Sequence, residues 1–282
     1  MKRITTFVLA VMVALGFTMA FGAPVASFQA IASTEEHVYF TNEVNYGGQD
    51  ILRSRNHVGE VNERIDFHRR EVRMTVINPN MPVFLSSFHC GVNGGGNLIA
   101  FNQRIHRDLI PGHNPGIQFG TNWLWTNGPL ITTMFDELHT RMGRGHGVTI
   151  DQYINGIRGY IHARNFNTSI FPAYNGNYRL STSFFNNIRN GIPISLFMNG
   201  YNFSGVTSNN GHDIIDMSLH TGRHIMVAYG YKIIDYFDKN DVLFRQELFL
   251  NIQTGFNTLV RSLVRMHTGH GILEAAWGIR IN

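Results

Sequence analysis

The strongest constraint in this sequence is a change of periodicity near Gly191. Upstream of it, apolar residues recur at helical spacing in four segments. Leu98, Ile99, Phe101 and Ile105 mark an expected helix running from Cys90 to about Arg107. Pro129 at a first-turn position leads into Leu130–Met142. Thr149 caps Ile150–Arg164, whose stripe is Tyr153, Ile154, Ile157, Tyr160 and Ile161. Ser181–Asn190 ends at Gly191, as helices often do. Downstream, β-branched and aromatic runs read as strands: Ile192–Met198, His224–Phe237, Leu243–Gln253 and Gly271–Ile281. Asp238-Lys239-Asn240-Asp241 reads as the turn of a long hairpin. Helices come first and an antiparallel sheet second, which predicts an α+β fold. One earlier strand is expected, Glu71–Ile77, stopped by Asn78-Pro79-Asn80-Met81-Pro82.

The chain has 282 residues, and its beginning reads as a targeting signal. Lys2 and Arg3 precede an apolar stretch from Ile4 to about Phe21, followed by small residues suited to signal peptidase. Residues 1–32 are therefore assigned to a signal peptide, 33–75 to an N-terminal extension or pro-segment, and 76–282 to a single domain. Export to the cell envelope or medium is the expectation, with no stable membrane insertion after cleavage, because no later stretch is long and apolar enough. The formal net charge of +4 comes from scattered arginines, with lysine only at 2, 232 and 239. Nucleic-acid binding needs a basic stripe with interleaved aromatics, and none is readable.

Exported chains normally use cysteine in pairs, yet this one has only Cys90. An intrachain disulfide is excluded, and Cys90 lies too far along the chain for lipidation behind a signal peptide. It stands in Phe88-His89-Cys90-Gly91, where irregular chain enters a helix. Unpaired N–H groups and the dipole at a helix start stabilise a thiolate, and the same groups can hold an oxyanion. A buried, inert cysteine remains the bland alternative. Gly94, Gly95 and Gly96 are not followed by Gly-Lys-Ser/Thr, so they are read as close-packing residues, not as a phosphate loop. The base should be a histidine brought near by the fold. His224 stands out among the 14 histidines, at the mouth of the core-like strand Met226-Val227-Ala228-Tyr229-Gly230-Tyr231. The pairs His220/His224 and His267/His270 lack a metal-site context, and no metal or cofactor is expected.

The array resembles papain-like cysteine peptidases of bacteria, near the bacteriocin-leader-processing type and a group of exported putative cysteine peptidases. The resemblance rests on Cys90-Gly91 with Asn97–Phe101, on Leu109-Ile110-Pro111, and on Gly222–Tyr231. It implies a papain-like fold, with a helical part carrying Cys90 followed by an antiparallel sheet carrying His224. The separation, 224 − 90 = 134, falls in the range of about 130–150 found for such enzymes. By the resemblance, Cys90 is the nucleophile and His224 the base, acting on a peptide or protein substrate through a thioester. The residue that orients the imidazole should lie on the next strand, within Glu247–Phe256. Asn251 has the best chemistry, while Gln253 and Thr254 fit the mirrored position better; Asp241 belongs to the turn. The glutamine such enzymes place before the cysteine is missing, leaving Ser86, Ser87 and His89 as nearby polar groups. An inactive binding or adhesion protein of the same fold, or an amidase or acyltransferase with the same pair, remains an alternative. Trp123, Trp125 and Phe135 are candidate cleft walls.

Overall fold

In the computed structural model, the described residues are 57–78, 80–175, 179–256, 259–266 and 271–282, with the short strand β1 (Phe40–Thr41). The expected signal peptide lies outside them.

One helix organises the molecule. α1 (Cys90–Gln103) is buried on every side except at Asn102. A helix enclosed all round needs small residues wherever neighbours come close, and its glycines supply them. A methyl group on Gly94 would touch Ile225 and Val227 of the sheet at 3.5 and 3.6 Å. On Gly95 it would meet Ile157 and Met142 at 3.1 Å, and on Gly96 the Phe135 ring at 2.3 Å. Ile157 belongs to α3 (Ile150–His162) and Phe135 to α2 (Pro129–Arg141), so three consecutive glycines seat α1 against three different elements. α2 begins at its proline, and α3 begins with a capping box in which Thr149 and Gln152 exchange hydrogen bonds. A fourth helix, α4, spans Thr182–Arg189.

The sheet is antiparallel and has eight strands. Its centre is the hairpin of β10 (Ile194–Asn209) and the 26-residue β11 (His212–Phe237). β11 pairs onward with β12 (Leu243–Gln253), β12 with β13 (Arg261–Arg265), and β13 returns to β10 at Ser204. Four strands thus close into a ring. β14 (Ile272–Ile281) and β7 (Thr168–Pro172) extend it beyond β10. β2 (His57–Asp66) and β3 (Arg69–Val76) both pair with β11. Three small two-stranded pairings complete the fold. β4 (Gly116–Phe119) pairs with β5 (Asn122–Trp125), β8 (Tyr174–Asn175) with β9 (Arg179–Leu180), and β1 with β6 (Gly147–Val148).

The mixed α+β class holds, but the order of its parts needs correction. β2 and β3 precede the helices and still belong to the main sheet. Within the segment 33–75 assigned to an extension or pro-segment, residues 57–75 pair into this sheet: eight consecutive register pairs bind β3 to β11, from Gly230↔Val76 to Phe237↔Arg69. Cutting at 76 would strip an edge from the central strand. Between α1 and α2 the chain forms the β4–β5 hairpin, turned at Gly120 with φ 59°. α1 also ends earlier than expected, at Gln103, before a 3-10 turn at Arg107–Leu109.

Candidate active site

Cys90 is the first residue of α1 and fully buried. β12 stops at Gln253, and beyond its end the edge of β11 is met by the tip of α1. There the N–H of Ile225 donates to the Cys90 Sγ at 3.4 Å. Burial pushes the thiol up to about 12, although the N–H groups of Ile225, Gly91 and Cys90 itself favour its ionisation. The cover over this helix start includes Val148 of β6, whose Cγ1 lies 2.5 Å from where a Gly91 Cβ would stand. β1, paired to β6, runs against both α1 and β11. Behind the thiol, the buried Tyr153 hydroxyl shares a 2.6 Å hydrogen bond with Ser195.

His224 is the residue before Ile225 and is 2% exposed. Its ring stacks on Phe256 with centroids 4.3 Å apart and planes within 4°, and Tyr201 packs at 5.2 Å. The Nε2 lies 2.6 Å from the Thr254 carbonyl oxygen. A carbonyl only accepts, so Nε2 carries the proton and Nδ1 is left as the basic nitrogen of the neutral ring. Burial holds the imidazole down at about 4, against the opposing pull of the Thr254 bond. Cys90 and His224 are thus brought to neighbouring points of one strand, both uncharged. No hydrogen bond joins them among the described residues.

The orienting contact expected from Asn251 or Gln253 is made by the main chain of Thr254 instead. Asn251 pairs with Gly230 and Gln253 with Val227 in the ladder, and neither side chain bonds His224. Both polar atoms of the Gln253 carboxamide, Nε2 and Oε1, and the Asn251 Oδ1 are buried without a hydrogen-bond partner. Thr254 is itself pinned: its hydroxyl donates to the Leu259 carbonyl and accepts from the Phe256 N–H at 3.1 Å.

Two asparagines that sequence reasoning passed over hold this arrangement together. Asn93 Oδ1 accepts from the Ser86 N–H at 2.8 Å and its hydroxyl at 2.7 Å. Its Nδ2 reaches the Gly255 carbonyl at 3.4 Å, so it ties the turn before Cys90 to the loop that holds His224. Asn97 clamps Phe84 through both main-chain groups, at 2.8 and 2.7 Å. Positions 90, 93 and 97 lie on one face of the helix. Buried carboxamides at that spacing in an apolar, glycine-rich helix were a readable signal.

Of the candidate oxyanion donors, Ser86 is engaged by Asn93 and Ser87 is exposed. His89 is 3% exposed with both ring nitrogens unpartnered, held at about 4 by burial and by the neighbouring His139. Of the other histidines, His220 stacks on Tyr201 at 5.1 Å, whereas His267 and His270 lie outside the described residues. The proposed cleft walls sit elsewhere. Phe135 is core beneath Gly96, and Trp123 and Trp125 stack on each other, with Trp125 against Phe101 near the far end of α1. Compared with protein-family models, with curated proteins and with solved structures, the chain matches none.

Proposed function

We propose that this chain is an exported cysteine peptidase of papain-like fold, held in a closed arrangement. The observation that carries the reading is the convergence of main-chain N–H groups on the Cys90 sulfur, one residue from an imidazole whose Nε2 is held by the Thr254 carbonyl. A thiol at a helix start, with donors already aimed at it, is suited to become a nucleophile once water or substrate reaches it. His224, fixed in the Nε2–H tautomer, would accept the thiol proton at Nδ1 and return it to the leaving amine. The ring of strands and the buried helix that meet at this point are consistent with the papain-like arrangement implied by the sequence motifs.

The complete burial of both groups favours one rival, a non-catalytic protein of the same fold. In the closed arrangement a thiol near 12 and an imidazole near 4 do not exchange a proton, so catalysis requires opening at β1 and β6. An amidase or acyltransferase would share the thioester and differ only in the acceptor. The deciding measurement is peptide hydrolysis by the purified chain together with iodoacetamide labelling of Cys90. Hydrolysis should vanish in Cys90→Ala and fall at least about 100-fold in His224→Ala, the usual worth of a general base. Unaltered hydrolysis in Cys90→Ala would sink the peptidase reading. Absence of both hydrolysis and labelling at neutral pH would favour the non-catalytic rival.

A further inference from the structure

At the opposite end of α1 the surface opens into a pocket of about 500 Å³. The helix is 14 residues long, or about 21 Å at 1.5 Å per residue, so this pocket is separate from Cys90. Arg104 and Arg280 are among its polar lining residues, and Ile105, Ile192, Ile279 and Ile281 form its apolar lining. The lining contains no aspartate or glutamate. That imbalance matters most at Arg104. The guanidinium lies 3.7 Å above the Phe101 ring, and its Nη1 donates to the Phe101 carbonyl at 2.7 Å. No carboxylate pairs with Arg104 or Arg280 among the described residues, whereas Arg70 and Arg164 each have one and Arg265 has two. Burial draws the Arg104 guanidinium down to about 10, with no anion to offset it.

A half-buried cation without a counter-charge is costly, and buried charges in proteins are normally paired. The Phe101 carbonyl relieves part of that cost but engages only Nη1 of the planar fork. Arg104 lines a cavity of the size that takes a small organic molecule. We propose that this pocket binds a small aliphatic carboxylate, its charged end held by Arg104 and Arg280 and its hydrocarbon end resting on the isoleucines. The fork geometry matches a carboxylate, and the isoleucines beside it match an alkyl chain better than they match a bare inorganic anion.

Calorimetric titration of the full chain with 4-methylpentanoate, 4-methylpentanamide and inorganic phosphate tests this. The carboxylate should bind saturably, at least about tenfold tighter than the uncharged amide or phosphate. Arg104→Ala could disturb the end of α1, so the informative variant is Arg280→Ala, at an exposed position. It should weaken the carboxylate by about tenfold while leaving the melting temperature of the unliganded protein unchanged. Equal binding of the amide or phosphate, no saturable heat at millimolar carboxylate, or full affinity in Arg280→Ala would each overturn the proposal. Peptide hydrolysis is not part of the readout, so failure here is distinct from failure of the peptidase reading.

Discussion

Two places in the molecule bury polar groups and treat them in opposite ways. Around Arg265, charge meets charge. Its guanidinium holds Glu247 through two bonds of 2.8 Å and Glu63 at 2.7 Å, and Arg245 reaches both carboxylates at 2.6 Å. Burial there opposes ionisation of Arg265 and of Glu63, yet the opposite charges win: the arginine sits above its ordinary value and the Glu63 carboxyl below. Around Cys90 and His224, burial wins instead. Three N–H donors favour the thiolate and one carbonyl favours the imidazolium, and both groups still remain neutral. Full charges outweigh desolvation in this protein, and main-chain dipoles alone do not. The first cluster is built to stay ionised, the second to stay quiet until its surroundings change.

The comparison breaks most visibly at Arg265. Arg265→Met leaves the buried Glu247 and the half-buried Glu63 without their main counter-charge and should cost about 3–5 kcal/mol, read as a lowered urea midpoint. A loss below about 1 kcal/mol would mean that Arg245 alone carries the cluster. Acid separates the two places by pH. His89 and His224 sit near 4 when folded, against about 6.5 unfolded. The unfolded chain therefore takes up protons first, and stability present above pH 6.5 is lost as the pH falls toward 4. The loss is at most about 3 kcal/mol for each ring. Glu63, lowered from 4.5, contributes stability that disappears only below that value. Urea midpoints from pH 7 to 4 should thus fall in wild type and fall less in His224→Gln; identical slopes would remove His224 from the account.

A smaller effect tests how tightly the quiet site is packed. Gly96→Ala forces a methyl against Phe135, at a cost of about 1–3 kcal/mol, visible by thermal melting. At the charged end, Arg64→Ala breaks an exposed pair with Asp66 at 2.8 Å and should leave the midpoint unchanged. A measurable drop there would show that exposed pairs at the edge of the sheet matter as well as buried ones.

The helices and the position of Cys90 were legible because periodicity, Pro129, Thr149 and Gly191 are local signals. The long β10–β11 hairpin was less legible, although Asn210-Gly211 at its tip is a strong hairpin signal and Gly211 has φ 75°. The strand at β3 was expected, but β2 and the place of both in the main sheet were not, because their partners lie some 150 residues away, beyond the reach of any local pattern. The site divided in the same way. Side chains with distinctive chemistry, Cys90 and His224, could be named from sequence. The group holding His224 could not, since every residue carries a carbonyl and only the fold selects that of Thr254. Mirroring about the hairpin turn reaches the stretch that contains Thr254, where a polar side chain, Asn251 or Gln253, was expected and a carbonyl makes the contact.

The burial of Cys90 has a chemical consequence outside catalysis. Oxidation and mixed-disulfide formation both proceed through an accessible thiolate. A thiol with no exposure and a proton retained to about pH 12 offers neither access nor thiolate. With no second cysteine in the chain, nothing intramolecular could rescue it by exchange. In this arrangement the sulfur is thus shielded from peroxide and from covalent dimerisation.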